Sequence, residues 1–174
     1  GLQMIAQYTW DKTLSFSDAD LILNAPRPQH NRNLTAQRGP APTDIRQRFV
    51  SDILYQLPLL TWMPFRAAAT RLLLDGWQIS GIVVMQTGTP FSLPNPSSIP
   101  GQRLDYLGGD PYAPGYPATL VYLNRAAFRD VPLVAASGAP IRPGSLGRNA
   151  LRLPGFWNVD FGVARNFPTH ERAR

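Results

Sequence analysis

The chain has 174 residues, 44% hydrophobic and only 16% charged, with a formal net charge of +6 and no cysteine. Charged residues usually make up about a quarter of a soluble domain, so this deficit favours strands with few solvated charges. The lack of cysteine excludes disulfides, thiolate metal sites and cysteine nucleophiles, and arginines scattered through polar connections give no nucleic-acid footprint.

The first element, residues 2–10, alternates strictly enough to read as a strand: Leu2, Met4, Ala6, Tyr8 and Trp10 fall on one face and Gln3, Gln7 and Thr9 on the other, with Ile5 as the exception. A polar connection over residues 11–43 follows. The second strand is expected from Ile45 to Leu57, with Ile45, Phe49, Ile53, Tyr55 and Leu57 opposite Asp44, Arg46, Arg48, Asp52 and Gln56. Between it and the third strand, the segment "FRAAATRLLLDG" predicts a short helix near 66–74, stopped by Gly76.

The third strand, Trp77 to Thr87, sets Trp77, Ile79, Val83 and Met85 against Gln78, Ser80 and Gln86, while Ile82 and Val84 make its middle apolar on both sides. A second long connection, residues 88–155, is rich in Pro and Gly ("TPFSLPNPSSIPG", "GGDPYAPGYP"). The fourth strand, "GFWNVDFGVARNF", places Trp157, Val159, Phe161, Val163 and Phe167 on one face and Asn158, Asp160 and Asn166 on the other. Arg165 shares the apolar face, beside Phe167.

Two solvents suit such alternation. In a soluble sandwich the apolar face is a core; in a membrane barrel it meets lipid and the polar face meets water. The ten steps from Trp157 to Phe167 span roughly 33 Å, or about 25 Å along a barrel axis at a tilt of about 40°, the height of an outer-membrane apolar band. Trp10, Tyr55, Trp77, Trp157 and Phe167 lie near strand ends, where aromatic girdles sit. The polar faces carry neither Lys nor Glu, both common on the open face of a soluble sheet. Connections longer than about 15 residues also suit a barrel with long external loops better than a compact soluble domain. No run approaches eighteen apolar residues, so a transmembrane helix is not expected, which leaves a transmembrane barrel open.

The segments "QRGPAPTDIRQRFVSDILYQLP", "DGWQISGIVVMQTGTPFSL" and "GSLGRNALRLPGFWNVDFGVARNFP" occur in an order and spacing that resembles the late barrel strands of TonB-dependent outer-membrane receptors of the Oar-like branch. Gly76-Trp77-Gln78 with Ser80-Gly81, the Gly147-Arg148-Asn149 turn before Pro154-Gly155, and Asn166-Phe167-Pro168 carry the likeness most specifically. "YLNRAAF" resembles a loop motif in which Pro usually stands in place of Arg125.

The resemblance implies an all-β fold: an antiparallel meander of about four long transmembrane strands, forming an incomplete piece of a large outer-membrane β-barrel of about 22 strands. Residues 1–174 are then a fragment of one barrel domain, with the plug domain and the final strands outside it. The implied function is energy-coupled uptake across a Gram-negative outer membrane, to which the fragment alone contributes no activity. Implied partners are outer-membrane lipid and lipopolysaccharide, TonB through the plug region, and a small substrate; no nucleic acid or cofactor is implied.

Under this reading the lipid-facing set is Leu2, Met4, Tyr8, Trp10, Ile45, Phe49, Ile53, Tyr55, Trp77, Ile79, Val83, Met85, Trp157, Val159, Phe161, Val163 and Phe167. Gln3, Gln7, Arg46, Arg48, Asp52, Gln78, Gln86, Asn158 and Asp160 face the lumen, where they meet a plug or substrate. Arg27, Arg32, Arg38 and Arg103 are expected in solvated external loops, within reach of lipopolysaccharide phosphates. The alternative is a β-rich binding or structural module: an outer-membrane adhesin, a passive pore or a soluble sandwich.

An enzyme is not expected, because the histidines are His30 and His170 and no HExxH, GxSxG or Walker-type loop occurs. "SDADLILN" offers Asp18, Asp20 and Asn24 but lacks the central Gly and closing Glu of a calcium loop, and reads as a polar connection.

Overall fold

The computed structural model describes residues 1–16, 28–30, 32–58, 76–95 and 101–167. The helix expected near 66–74, the acidic stretch around Asp18, and Arg27 and His170 lie outside these residues. The described chain is all β apart from two single-turn 3-10 segments, Thr35–Gln37 and Arg125–Ala127.

Four long strands make one antiparallel sheet: β1 (Leu2–Trp10), β4 (Gln47–Gln56), β5 (Trp77–Gln86) and β10 (Phe156–Arg165), in the order β1-β4-β5-β10. Residues directly opposite in such a ladder share a face, so the register joins the four alternations. Tyr8 lies opposite Phe49, Phe49 opposite Met85, and Met85 opposite Trp157. Leu2, Tyr55, Ile79 and Val163 form a parallel row near the other end.

Gly76 turns the chain into β5 with φ +80°, a conformation that a side chain disfavours. Its carbonyl accepts from Asn166 N–H at 2.8 Å, and a Cβ there would overlap Asn166 O. β1 ends where β4 begins, and β5 ends where β10 begins, so both long connections leave the sheet from one end.

The second strand starts at Gln47 rather than at Ile45, which removes Ile45 and Arg46 from the ladder. The reason lies in Asp44: its carboxylate accepts from Thr13 N–H at 2.6 Å and binds Arg152, which commits the chain just before β4 to other partners. Pairing with the third strand begins at Gln47 and Thr87, which exchange bonds between Gln47 N–H and Thr87 Oγ1 and between Thr87 N–H and Gln47 O.

The chain divides into two compact units. The first holds the long-stranded sheet. The second comprises Asp11–Ile45 and Gly88–Pro154, which contain most of the two long connections expected over residues 11–43 and 88–155. They are built from two-residue ladders: β2 (Leu14–Ser15) with β3 (Gly39–Pro40), β6 (Pro90–Phe91) with β9 (Leu151–Arg152), and β7 (Asp105–Tyr106) with β8 (Phe128–Arg129). Single bridges join Pro94 to Arg103, Tyr112 to Leu123 and Leu133 to Pro140. Frequent prolines, which lack the N–H that a ladder needs, keep these pairings short.

Candidate functional site: the sheet faces and the loop unit

The register assigns the paired residues of the four strands to two faces; Ile45, Arg46 and Phe167 lie outside the paired residues. Leu2, Met4, Tyr8, Trp10, Phe49, Ile53, Tyr55, Trp77, Ile79, Val83, Met85, Trp157, Val159, Phe161 and Val163 share one face. Ala6, Ser51 and Gly81 are the small residues among them, and Phe161 stands opposite Gly81. This face is open: Met4, Tyr8, Trp10, Trp157 and Phe161 are all exposed. At its lower margin the Arg165 guanidinium lies 5.6 Å from the Trp77 ring and 4.6 Å from the Phe167 ring, a cation held on two aromatics.

The opposite face brings together Gln3, Gln7, Arg48, Asp52, Gln78, Gln86, Asn158 and Asp160. It is less polar than its charges suggest. Ile5, Val50, Leu54, Ile82 and Val84 lie on it too, and the row Ile5, Asp52, Ile82, Asp160 alternates apolar and acidic across the four strands. Asn158 Nδ2 donates to Asp160 at 2.9 Å.

The loop unit is held by buried arginines more than by an apolar core, whose buried members are Ala41, Ala127, Val131, Leu146 and Leu151. A buried guanidinium is tolerable only when its donors are matched. Arg148 donates to Gln37 O at 2.6 Å, to Gly39 O at 3.2 Å, and to both the carbonyl and the hydroxyl of Ser15. Arg152 binds the Asp44 carboxylate, and its Nη1 donates to Asp44 O and Gly88 O, each at 3.0 Å. Asn149 Nδ2 reaches Pro40 O at 2.9 Å. Ser15, residues 37–40 and Asp44 are therefore stapled, side chain to backbone, to Gly88 and residues 148–152.

Arg103 corrects the expectation of a solvated external arginine. It is buried, and donates to Leu146 O at 2.8 Å and Gln37 Oε1 at 3.1 Å, so it belongs to the fold of the loops rather than to a phosphate. Arg32 and Arg38 are exposed. Asp105 is fixed by both Arg142 Nη1 and Nη2 at 2.7 Å, and this guanidinium holds its carboxyl below the ordinary value of 3.8. A tyrosine cluster packs nearby in sequence: the Tyr122 ring lies 5.1 Å from Tyr112 and 5.0 Å from Tyr116. Tyr122 donates to Arg152 O at 2.6 Å, and burial pushes its phenol up.

Among the cavities lined by described residues of this unit, two bear on binding. One, of about 260 Å³, lies among Gln29, His30, Asn33, Gln37, Arg103 and the 143–147 backbone. Its polar groups are largely spent on each other: Gln29 Oε1 accepts from both Arg103 N–H and Gly144 N–H at 3.0 Å. The other, of about 490 Å³, has Leu93, Leu104, Leu123 and Phe128 in its lining together with Arg125, Arg129 and Asp130.

A family model described as an outer membrane beta barrel domain matches residues 1–174, the whole chain. The chain belongs to the outer membrane β-barrel domain family. The comparisons with curated proteins and with solved structures return no match. Membership explains the architecture just described: an outer membrane β-barrel domain crosses its membrane with alternating antiparallel strands of about this length, and its place is the outer membrane of a Gram-negative bacterium. The soluble-sandwich alternative falls with it.

Proposed function

We propose that this barrel domain forms part of the wall of a TonB-dependent receptor that takes up a substrate across the outer membrane. The observation that carries this reading is the mixed character of the second sheet face. Ile5, Val50, Leu54, Ile82 and Val84 interrupt its charged and amide side chains. A water-filled channel gains nothing from branched aliphatic side chains on its wall, whereas a wall packed against a folded plug uses them.

The apolar face, from Trp10 and Trp157 to Tyr55 and Trp77, then meets lipid. β1 and β10 each pair on one side only among the described residues, and hydrocarbon does not tolerate unsatisfied strand edges. Further strands complete the wall. The loop unit is where a substrate and lipopolysaccharide are met, and the role is transport rather than catalysis.

The test is uptake by the complete protein in a Gram-negative host with and without TonB. Accumulation lost on removal of TonB supports the receptor reading; accumulation that persists at the same rate makes the barrel a passive pore.

A further inference from the structure

We propose that the cavity beside Arg125 and Arg129 in the loop unit binds an organic monoanion, an aromatic or aliphatic body bearing one carboxylate. Its volume of about 490 Å³ falls within the range of small-molecule sites. Leu93, Leu104, Leu123 and Phe128 are half-buried, so each presents apolar surface that an apolar body would cover.

The charges around them select the other end of the ligand. Arg125 and Arg129 are exposed, and neither guanidinium has a hydrogen-bond or ion-pair partner among the described residues. Arg129 stands opposite Asp105 in the ladder, but that carboxylate is already taken on both oxygens by Arg142. Both arginines are carried on ordered backbone. Arg125 opens a 3-10 turn capped by Asn124 Oδ1, which accepts from Ala126 N–H at 3.1 Å, and Arg129 is paired within β8.

Among the described residues that line the cavity, two cations and one anion, Asp130, leave one net positive charge. A carboxylate matches the planar forks of two guanidinium groups. A second negative charge on the ligand would meet Asp130 uncompensated.

As a capture site for cargo the cavity rests on the uptake reading; as a binding site it does not, and the two fail separately. The complete protein in nanodiscs is dialysed against radiolabelled 2-naphthoate, with empty nanodiscs as the blank and 2-naphthol as the uncharged competitor. Saturable binding is expected, undisturbed by excess 2-naphthol. Arg125→Gln and Arg129→Gln should each weaken it about tenfold, the loss of one charge-assisted bond. Asp130→Asn should strengthen it, a gain that misfolding cannot mimic. Absence of saturable binding, equal competition by 2-naphthol, or indifference to all three substitutions would overturn the proposal, whatever the TonB experiment shows.

Discussion

Asp44 is the point at which removal of one carboxylate should release the loop unit. The residue is 0% exposed; one oxygen accepts from Thr13 N–H at 2.6 Å and the other binds the Arg152 guanidinium, which stays 24% exposed. Breaking a buried ion pair costs about 3 to 5 kcal/mol because the surviving charge is left uncompensated. Arg152 retains two backbone acceptors and some water, which puts Asp44→Ala at the lower end, about 3 kcal/mol. At about 1.4 kcal/mol per decade this is roughly a hundredfold faster opening. Asp44→Asn keeps an acceptor for Thr13 and should cost about a tenth of that acceleration. Amide hydrogen exchange on the complete protein in nanodiscs reads the effect at Thr13, Ala41 and Asp44, whose N–H groups close this corner. The β4 and β5 amides should be unmoved. Unchanged exchange at Thr13, or equal acceleration throughout the sheet, would refute the local role assigned to the Asp44 carboxylate.

Arg148→Lys should loosen the segment around Gln37 and Gly39 by about 2 kcal/mol, because one ammonium cannot reach the acceptors that the guanidinium fork serves together; pulse proteolysis within residues 32–40 measures it, and wild-type resistance would contradict it. Asp105 gives the loop unit an acid sensitivity: its folded pKa lies below the ordinary 3.8, so its pairing with Arg142 stabilises fully above that value and is lost as pH falls through the folded value. Pepsin digestion between about pH 5 and about pH 2 should therefore separate wild type from Asp105→Asn at the upper end and converge at the lower. Phe161→Arg, near the middle of β10, should cost roughly 2 to 4 kcal/mol in a membrane-folding titration, and Trp157→Arg, near its end, about 0 to 1. Asp160→Asn should cost much less than Phe161→Arg; equal tolerance of the two would sink the lipid-facing assignment.

The sheet was legible because each long strand separates two environments, which imposes a period of two on its residues. Parity puts Tyr8, Phe49, Met85 and Trp157 each on the apolar face of its own strand, and the ladder aligns them in one row. Ile45 misled because its own parity continues that of Phe49 and Ile53; what ends the strand is the side chain of Asp44, bonded to Thr13 and Arg152. The loop unit was not legible for a related reason. Its ladders are two residues long, and its stability comes from single side chains reaching distant backbone, such as Arg148 to Gln37, 111 residues apart. In sequence Arg103 looks like Arg32 or Arg38. Only the fold makes it a buried donor to Leu146 and Gln37 while they stay in water.

In the proposed receptor, odd-numbered residues of β10 face lipid and even-numbered ones face the barrel interior. Spin labels on cysteines introduced one at a time across residues 157–163 of the complete protein, freed of any other cysteine, in nanodiscs read which side each residue sees. Oxygen, which concentrates in hydrocarbon, should relax the labels at 157, 159, 161 and 163 and spare those at 158, 160 and 162. A flat oxygen profile along the strand, or one with the opposite phase, would contradict the account.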